Sequence, residues 1–153
     1  MDQKISLLYV DDEINNLNAF KASLRRDYNI QTAESGEEAL EVLKENKVHI
    51  IITDQRMPKM TGIELLEKVL ELYPDPIRIL LTGYADIQAV IDAINKGQVY
   101  RYITKPWDEQ ELRLTIKNSY EVYRLREENK DLTHQLMRAN DQLEFLLRQK
   151  LLS

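Results

Sequence analysis

Five short apolar runs alternate with amphipathic helical patterns over roughly the first 120 residues, and this alternation constrains the fold more than any other feature of the chain. The runs are Ile5–Val10, Ile30–Ala33, Ile50–Thr53, Ile77–Thr82 and Tyr102–Thr104. Each is rich in apolar or β-branched residues and reads as a strand buried on both faces. Between them, Ile14, Leu17, Phe20 and Leu24 share one helical face. So do Ala39, Leu40 and Leu43, then Ile63, Leu66, Val69 and Leu70, then Val90, Ile91 and Ile94. The segments "SGEE" (Ser35, Glu38) and "TGIE" (Thr61, Glu64) have the spacing of capping boxes, and Asp108 with Glu111 is placed to start a fifth helix after Pro106. Strict βα alternation calls for right-handed crossovers, so the expected fold is α/β: a five-stranded parallel sheet, doubly wound with helices on both faces.

Bulk properties bound the function classes. No cysteine is present, which excludes disulfides and thiolate metal sites. The N-terminal apolar run is short and broken by acids, unlike a signal peptide, and no stretch approaches the ~18 apolar residues of a membrane span. A soluble, cytoplasmic protein with no membrane contact is expected. The net charge is -5, and from Glu121 onward six basic residues balance six acidic ones, so the surplus acid lies earlier. Direct nucleic-acid binding, which needs a basic face, is not expected.

The strand ends carry the chemistry. The first run ends in Asp11 and Asp12, the third in Asp54, the fourth in Thr82 and the fifth in Lys105. Any one of these is ordinarily a turn residue. In a parallel sheet, however, the carboxyl ends converge on the edge where ligands bind. Clustered carboxylates repel unless a cation sits among them, and an all-oxygen donor set suits a hard divalent ion, most plausibly Mg²⁺. With a lysine and a hydroxyl alongside, the set has the equipment for phosphoryl transfer to a carboxylate.

The segments "YVDDE", "IITDQRMPKMTG", "ILLTGYAD" and "YRYITKPWD" occur in order over about Ile5 to Tyr120, and there the chain resembles the receiver domain of two-component response regulators. The resemblance implies a flavodoxin-like (βα)5 fold, a role in signalling rather than as an enzyme, and a histidine kinase as phosphodonor. It implies Asp54 as phosphoacceptor and Asp12 as a direct Mg²⁺ ligand. Asp11 would hold the ion largely through water, and the backbone carbonyl of Arg56 would be a further ligand. Lys105 would pair with the phosphoryl group, its bond to Pro106 being cis, and Thr82 and Tyr102 would form the switch pair. Arg56 and Tyr84 are large residues at positions flanking the acceptor, where they are expected to hinder the attacking water. A haloacid-dehalogenase-type phosphatase would need a second Asp where Arg56 stands, and a flavodoxin would need a Ser/Thr/Gly-rich loop where "DDEINN" stands.

From Trp107 to the end there is neither Gly nor Pro. Heptads read from Val122 place Val122, Leu125, Asn129, Leu132, Leu136, Ala139, Leu143 and Leu146 at a and d positions. One Asn at an a position favours a parallel pair in fixed register, with Glu121 and Arg126 suited to an interchain ion pair. The chain is therefore expected to divide into a receiver over 1–120 and a coiled-coil helix over 121–153. That helix would be a homodimerisation stalk or a linker to an output module, since "GQVYRYITKPW" resembles receivers joined to larger proteins. His49 and His134 read as ordinary surface residues. The alternative is a dimerisation module whose acid pocket is inactive and works without phosphorylation.

Overall fold

The computed structural model describes residues 3–152; Met1, Asp2 and Ser153, at the outer bounds of the two expected segments, lie outside them. Strands occupy the apolar runs: β1 (Ile5–Val10), β2 (Tyr28–Ala33), β3 (Ile50–Asp54), β4 (Ile77–Thr82) and β5 (Arg101–Thr104). Helices α1 (Ile14–Leu24), α2 (Gly36–Glu45), α3 (Gly62–Leu72), α4 (Ile87–Asn95) and α5 (Glu109–Leu152) follow them in turn. All pairings are parallel, in the order β2-β1-β3-β4-β5. β2 starts earlier than its apolar run because Tyr28 and Asn29 pair with Ile5 and Ser6 of β1. The α/β, doubly wound expectation is met.

Alternation along the strands builds two cores. Leu7, Tyr9, Ile50, Ile52, Ile79 and Leu81 point to the layer of α1 and α5, where Leu17, Phe20, Leu24, Leu112 and Ile116 meet them. Leu8, Val10, Ile51 and Leu80 point to the opposite layer, against Ala39, Leu43, Leu65, Leu66, Val69, Val90 and Ala93 of α2, α3 and α4. Each fully buried Leu or Ile contributes ~1.5–3 kcal/mol, so β3 and β4, buried over their whole length, anchor the centre of the sheet.

Helical faces differ in detail from the apolar pattern. Ile14 is 57% exposed, and the buried row of α1 begins at Leu17. In α4 the inward position expected for Ile91 belongs to Ala93, and Ile91 is exposed. A small residue close to the sheet buries by position, not by hydrophobicity, so the apolar stripe has one member of that face wrong. Thr61 and Glu64 form the full capping box of α3. In α2 the Ser35 hydroxyl accepts from Glu38 N–H, but the Glu38 carboxylate reaches back to Glu34 N–H rather than to Ser35, so only half of that box is made. Asp108 accepts from Gln110 N–H at the start of α5.

Candidate functional site

The order β2-β1-β3-β4-β5 reverses its direction of growth at the β1/β3 boundary, where an open α/β sheet leaves a crevice beyond the strand ends. Because β1, β3, β4 and β5 are successive neighbours in the sheet, the residues ending them meet at that edge. Carboxylate oxygens of Asp11, Asp12 and Asp54 lie within 4.8 Å of one another. Asp11 is fully buried and held firmly: Tyr9 Oη and Asn16 Nδ2 donate to its Oδ2 at 2.9 and 3.1 Å, and Glu13 N–H donates to Oδ1 at 3.0 Å. Burial and the adjacent Asp11 raise the Tyr9 phenol well above its ordinary range, which keeps it a donor. Its ring stacks on Phe20 at 4.0 Å. Asp12, by contrast, is exposed, with its carboxylate on the solvent side of the cluster. Three hard oxygen donors, one fixed by protein hydrogen bonds and one open to water, fit a small divalent cation.

Lys105 Nζ stands 2.5 Å from Asp54 Oδ1, and the Lys105–Pro106 peptide is cis. Burial pushes the Asp54 carboxyl up, against the opposing pull of the Lys105 ammonium. The Thr82 side chain is buried, and its hydroxyl donates to Gly83 O at 3.2 Å. Tyr102 is half-buried against the core layer of α2, α3 and α4. Arg56 lies in the loop after β3, where its Nε donates to Asp86 Oδ2 at 3.0 Å, while Tyr84 is 77% exposed.

Residues the sequence pattern did not single out also shape this edge. Gly62 opens α3 directly against the acceptor strand, donating its N–H to Gln55 O. A Cβ there would collide with the Asp54 carbonyl oxygen and come within 2.7 Å of Leu80 Cδ1. "MTGIE" signals a helix start, but nothing local tells that the backbone of Asp54 passes beneath it.

At the opposite end of β3, His49 is not the surface residue expected. Its Nδ1 accepts from Ser6 N–H at 2.9 Å, and its ring meets Tyr120 and Tyr123 of α5 edge-on at 5.0 and 4.9 Å. Only the return of α5 across the sheet brings those rings together. His134 is exposed, as read from the sequence.

α5 continues without a break to Leu152. Its buried row is Leu112, Thr115, Ile116, Ser119 and Tyr123, and Lys130 Nζ still reaches Asp75 Oδ1 at 2.6 Å. Val122 packs partly on the domain core. Leu125, Asn129, Leu132, Leu136, Ala139, Leu143 and Leu146 are all exposed. Glu121 and Arg126, expected to pair between two copies, have neighbours within their own chain: Arg124 holds Glu121 at 2.7 Å, and Arg126 lies over the Tyr100 ring. An i,i+3 neighbour lies within reach on the same helix face, and the Tyr100 ring takes the second cation. Among the described residues no helix is long and apolar enough to cross a membrane.

Comparison with known proteins agrees with this geometry. The family model described as the response regulator receiver domain matches residues 7–117. The hydrogenase transcriptional regulatory protein HoxA of Bradyrhizobium diazoefficiens is 37% identical over 123 residues, covering 80% of this chain and 25% of that protein. The transcriptional regulatory protein ZraR of Escherichia coli is 32% identical over 116 residues, covering 75% of this chain and 26% of that protein. The chain thus spans about a quarter of the length of these relatives. Among solved structures, a response regulator receiver domain protein from Clostridium thermocellum superposes with a TM-score of 0.75 at 32% identity, covering 79% of this chain and 98% of that one. By fold, by family match and by the residues gathered at its strand ends, the chain belongs to the response regulator receiver domain family.

Proposed function

We propose that Asp54 accepts a phosphoryl group from the phosphohistidine of a partner kinase. The carrying observation is the Lys105 ammonium 2.5 Å from Asp54 Oδ1, beside a trio of carboxylates within 4.8 Å. An Asp54 oxygen attacks phosphorus in line; the new P–O bond forms as the P–N bond to the histidine breaks. Asp11, Asp12, Asp54 and the Arg56 carbonyl would hold Mg²⁺, which when bound supplies positive charge beside the phosphoryl oxygens. Lys105 transfers its ammonium from the free carboxylate to a phosphoryl oxygen. Asp54 is buried, only 6% exposed, so a phosphodonor reaches its carboxylate from the open edge of the cluster.

The new group carries roughly -1.5 to -2 charges and three acceptor oxygens. The Thr82 hydroxyl leaves Gly83 O to donate to one of them, and Tyr102 moves into the space released, changing the face made by α4, β5 and α5. A local charge thereby biases a two-state equilibrium. The exposed seam from Leu125 to Leu146 is assigned to a second copy in a parallel pair. It does not continue the buried row of α5, which runs on into Arg126 and Lys130, so two stalks can join without lifting either domain from its helix.

Incubation with acetyl phosphate and Mg²⁺ tests the reading by intact mass. Wild type is expected to gain one phosphoryl group and Asp54→Asn none; an unmodified wild type would favour a dimerisation module with an inert pocket.

A further inference from the structure

Asp86 precedes α4 at the N-cap position, but with φ -105° and ψ 9° its backbone is in a turn, not the extended form of a capping residue, and its side chain makes no cap bond there. Aspartate is among the best N-cap residues because its carboxylate accepts from the free N–H groups of the first turn. Here that carboxylate is turned aside to Arg56, at 3.0 Å. Arg56 belongs to the loop after β3, two residues beyond Asp54, and Asp86 closes the single 3₁₀ turn Tyr84–Asp86 that follows Thr82 and Gly83. Among the described residues this is the one ion pair joining those two loops. The Arg56 side chain is 74% exposed and that of Asp86 24% exposed, so the pair is weak and exchangeable, as surface pairs are.

Two groups therefore compete for one carboxylate. The guanidinium holds it while Asp86 lies in the 3₁₀ turn, and the first turn of α4 would hold it once the Asp86 backbone turns extended. A phosphoryl group on Asp54 introduces a dianion two residues from Arg56, with more charge than Asp86 and the geometry that guanidinium prefers. Thr82, which bonds Gly83 O within the same segment, responds to the same event. A ligand shifts such an equilibrium only through contacts it makes in one state and not the other, and this exchange supplies them.

We propose that Arg56 and Asp86 form a latch: in the unmodified protein Arg56 keeps Asp86 from capping α4, and phosphorylation draws Arg56 away so that Asp86 caps the helix. The opening step rests on the phosphoacceptor reading above; the competition for Asp86 does not. Asp86 acts here as a positioning residue for α4, not as a group that touches the phosphoryl.

Backbone amide exchange and ¹H–¹⁵N spectra of the full chain test this. In unmodified Arg56→Gln, the amides of Gln88 and Ala89 are expected to exchange about fivefold more slowly than in wild type, the factor a single cap bond supplies. Their shifts should move toward those of acetyl-phosphate-treated wild type. Asp86→Asn, which can cap but cannot pair as an ion, should behave like Arg56→Gln. Asp86→Ala should take up a phosphoryl group by mass yet lose the phosphorylation-linked change at those two amides. Unchanged exchange in Arg56→Gln, or a wild-type response in Asp86→Ala, would overturn the latch. Wild type that gains no mass would overturn the phosphoacceptor reading and opening by phosphate together, while Arg56→Gln would still decide the competition for Asp86.

Discussion

Gly62 and His49 mark the two ends of β3, and each is answerable at the level of one side chain. At Gly62 the first turn of α3 sits against the Asp54 backbone with no room for a Cβ. Gly62→Ala should therefore lower stability by about 1–3 kcal/mol, the usual cost of overpacking, read by urea denaturation. A stability unchanged within error would show that α3 can retreat. At His49, burial lowers the imidazole pKa below its ordinary 6.5, with Lys47 adding to the effect. The folded state thus favours the neutral ring that accepts from Ser6 N–H. Below about pH 6.5 the unfolded chain takes up the proton first, so the stabilisation is complete above that value and is lost as pH falls through the folded pKa. Lys47, Tyr120 and Tyr123 are the other titratable groups around the ring. Denaturation between about pH 7.5 and 5.5 should show a shallower loss in His49→Asn, which retains an acceptor but does not titrate. Equal slopes in the two proteins would remove His49 from the account.

Among the elements, α5 is the one whose two halves do different work. Up to Lys130 it is a wall of the domain, with Tyr123 buried and Lys130 tied to Asp75. From Asp131 every residue through Leu152 is exposed, a rod of about 30 Å at 1.5 Å per residue. An apolar row on such a rod is costly in water until it is covered. The single Asn in that row gives a direct test. Asn129→Lys would set two ammonium groups against each other in a parallel pair and is expected to shift the light-scattering mass from dimer toward monomer. A mass that is the same in both proteins would place Asn129 outside any seam. Val122, half-buried on its own domain, belongs to the domain packing and to the heptad row alike. The heptads run through it unchanged because periodicity does not distinguish an intramolecular neighbour from an intermolecular one.

At the scale of the molecule, the sheet edge concentrates acid. Asp11, Asp12 and Asp54 hold like charges within 4.8 Å, and folding brings them there against their repulsion. A divalent cation bound only by the folded state should raise stability by about 1.4 kcal/mol at ten times its dissociation constant, a gain of several degrees in Tm for a domain of this size. Thermal scans with and without Mg²⁺ should show this in wild type and a much smaller gain in Asp12→Asn. An equal gain in the two would mean that the ion sits elsewhere.

The sequence by itself determined the architecture and the polar set. Strand runs, helical faces and residues such as Asp54 and Lys105 at strand ends are local patterns, and the parallel alternation of elements brings those ends to one edge. Tertiary structure alone decided what depends on contacts between distant segments. Tyr120 and Tyr123 reach His49 only because α5 packs back across β3 and β4. Gly62 matters only because α3 begins on top of Asp54, and Asp86 finds an ion-pair partner only because a neighbouring loop presents Arg56. A side chain's intrinsic preference is written in its own neighbourhood; which competitor claims it is settled when the chain closes.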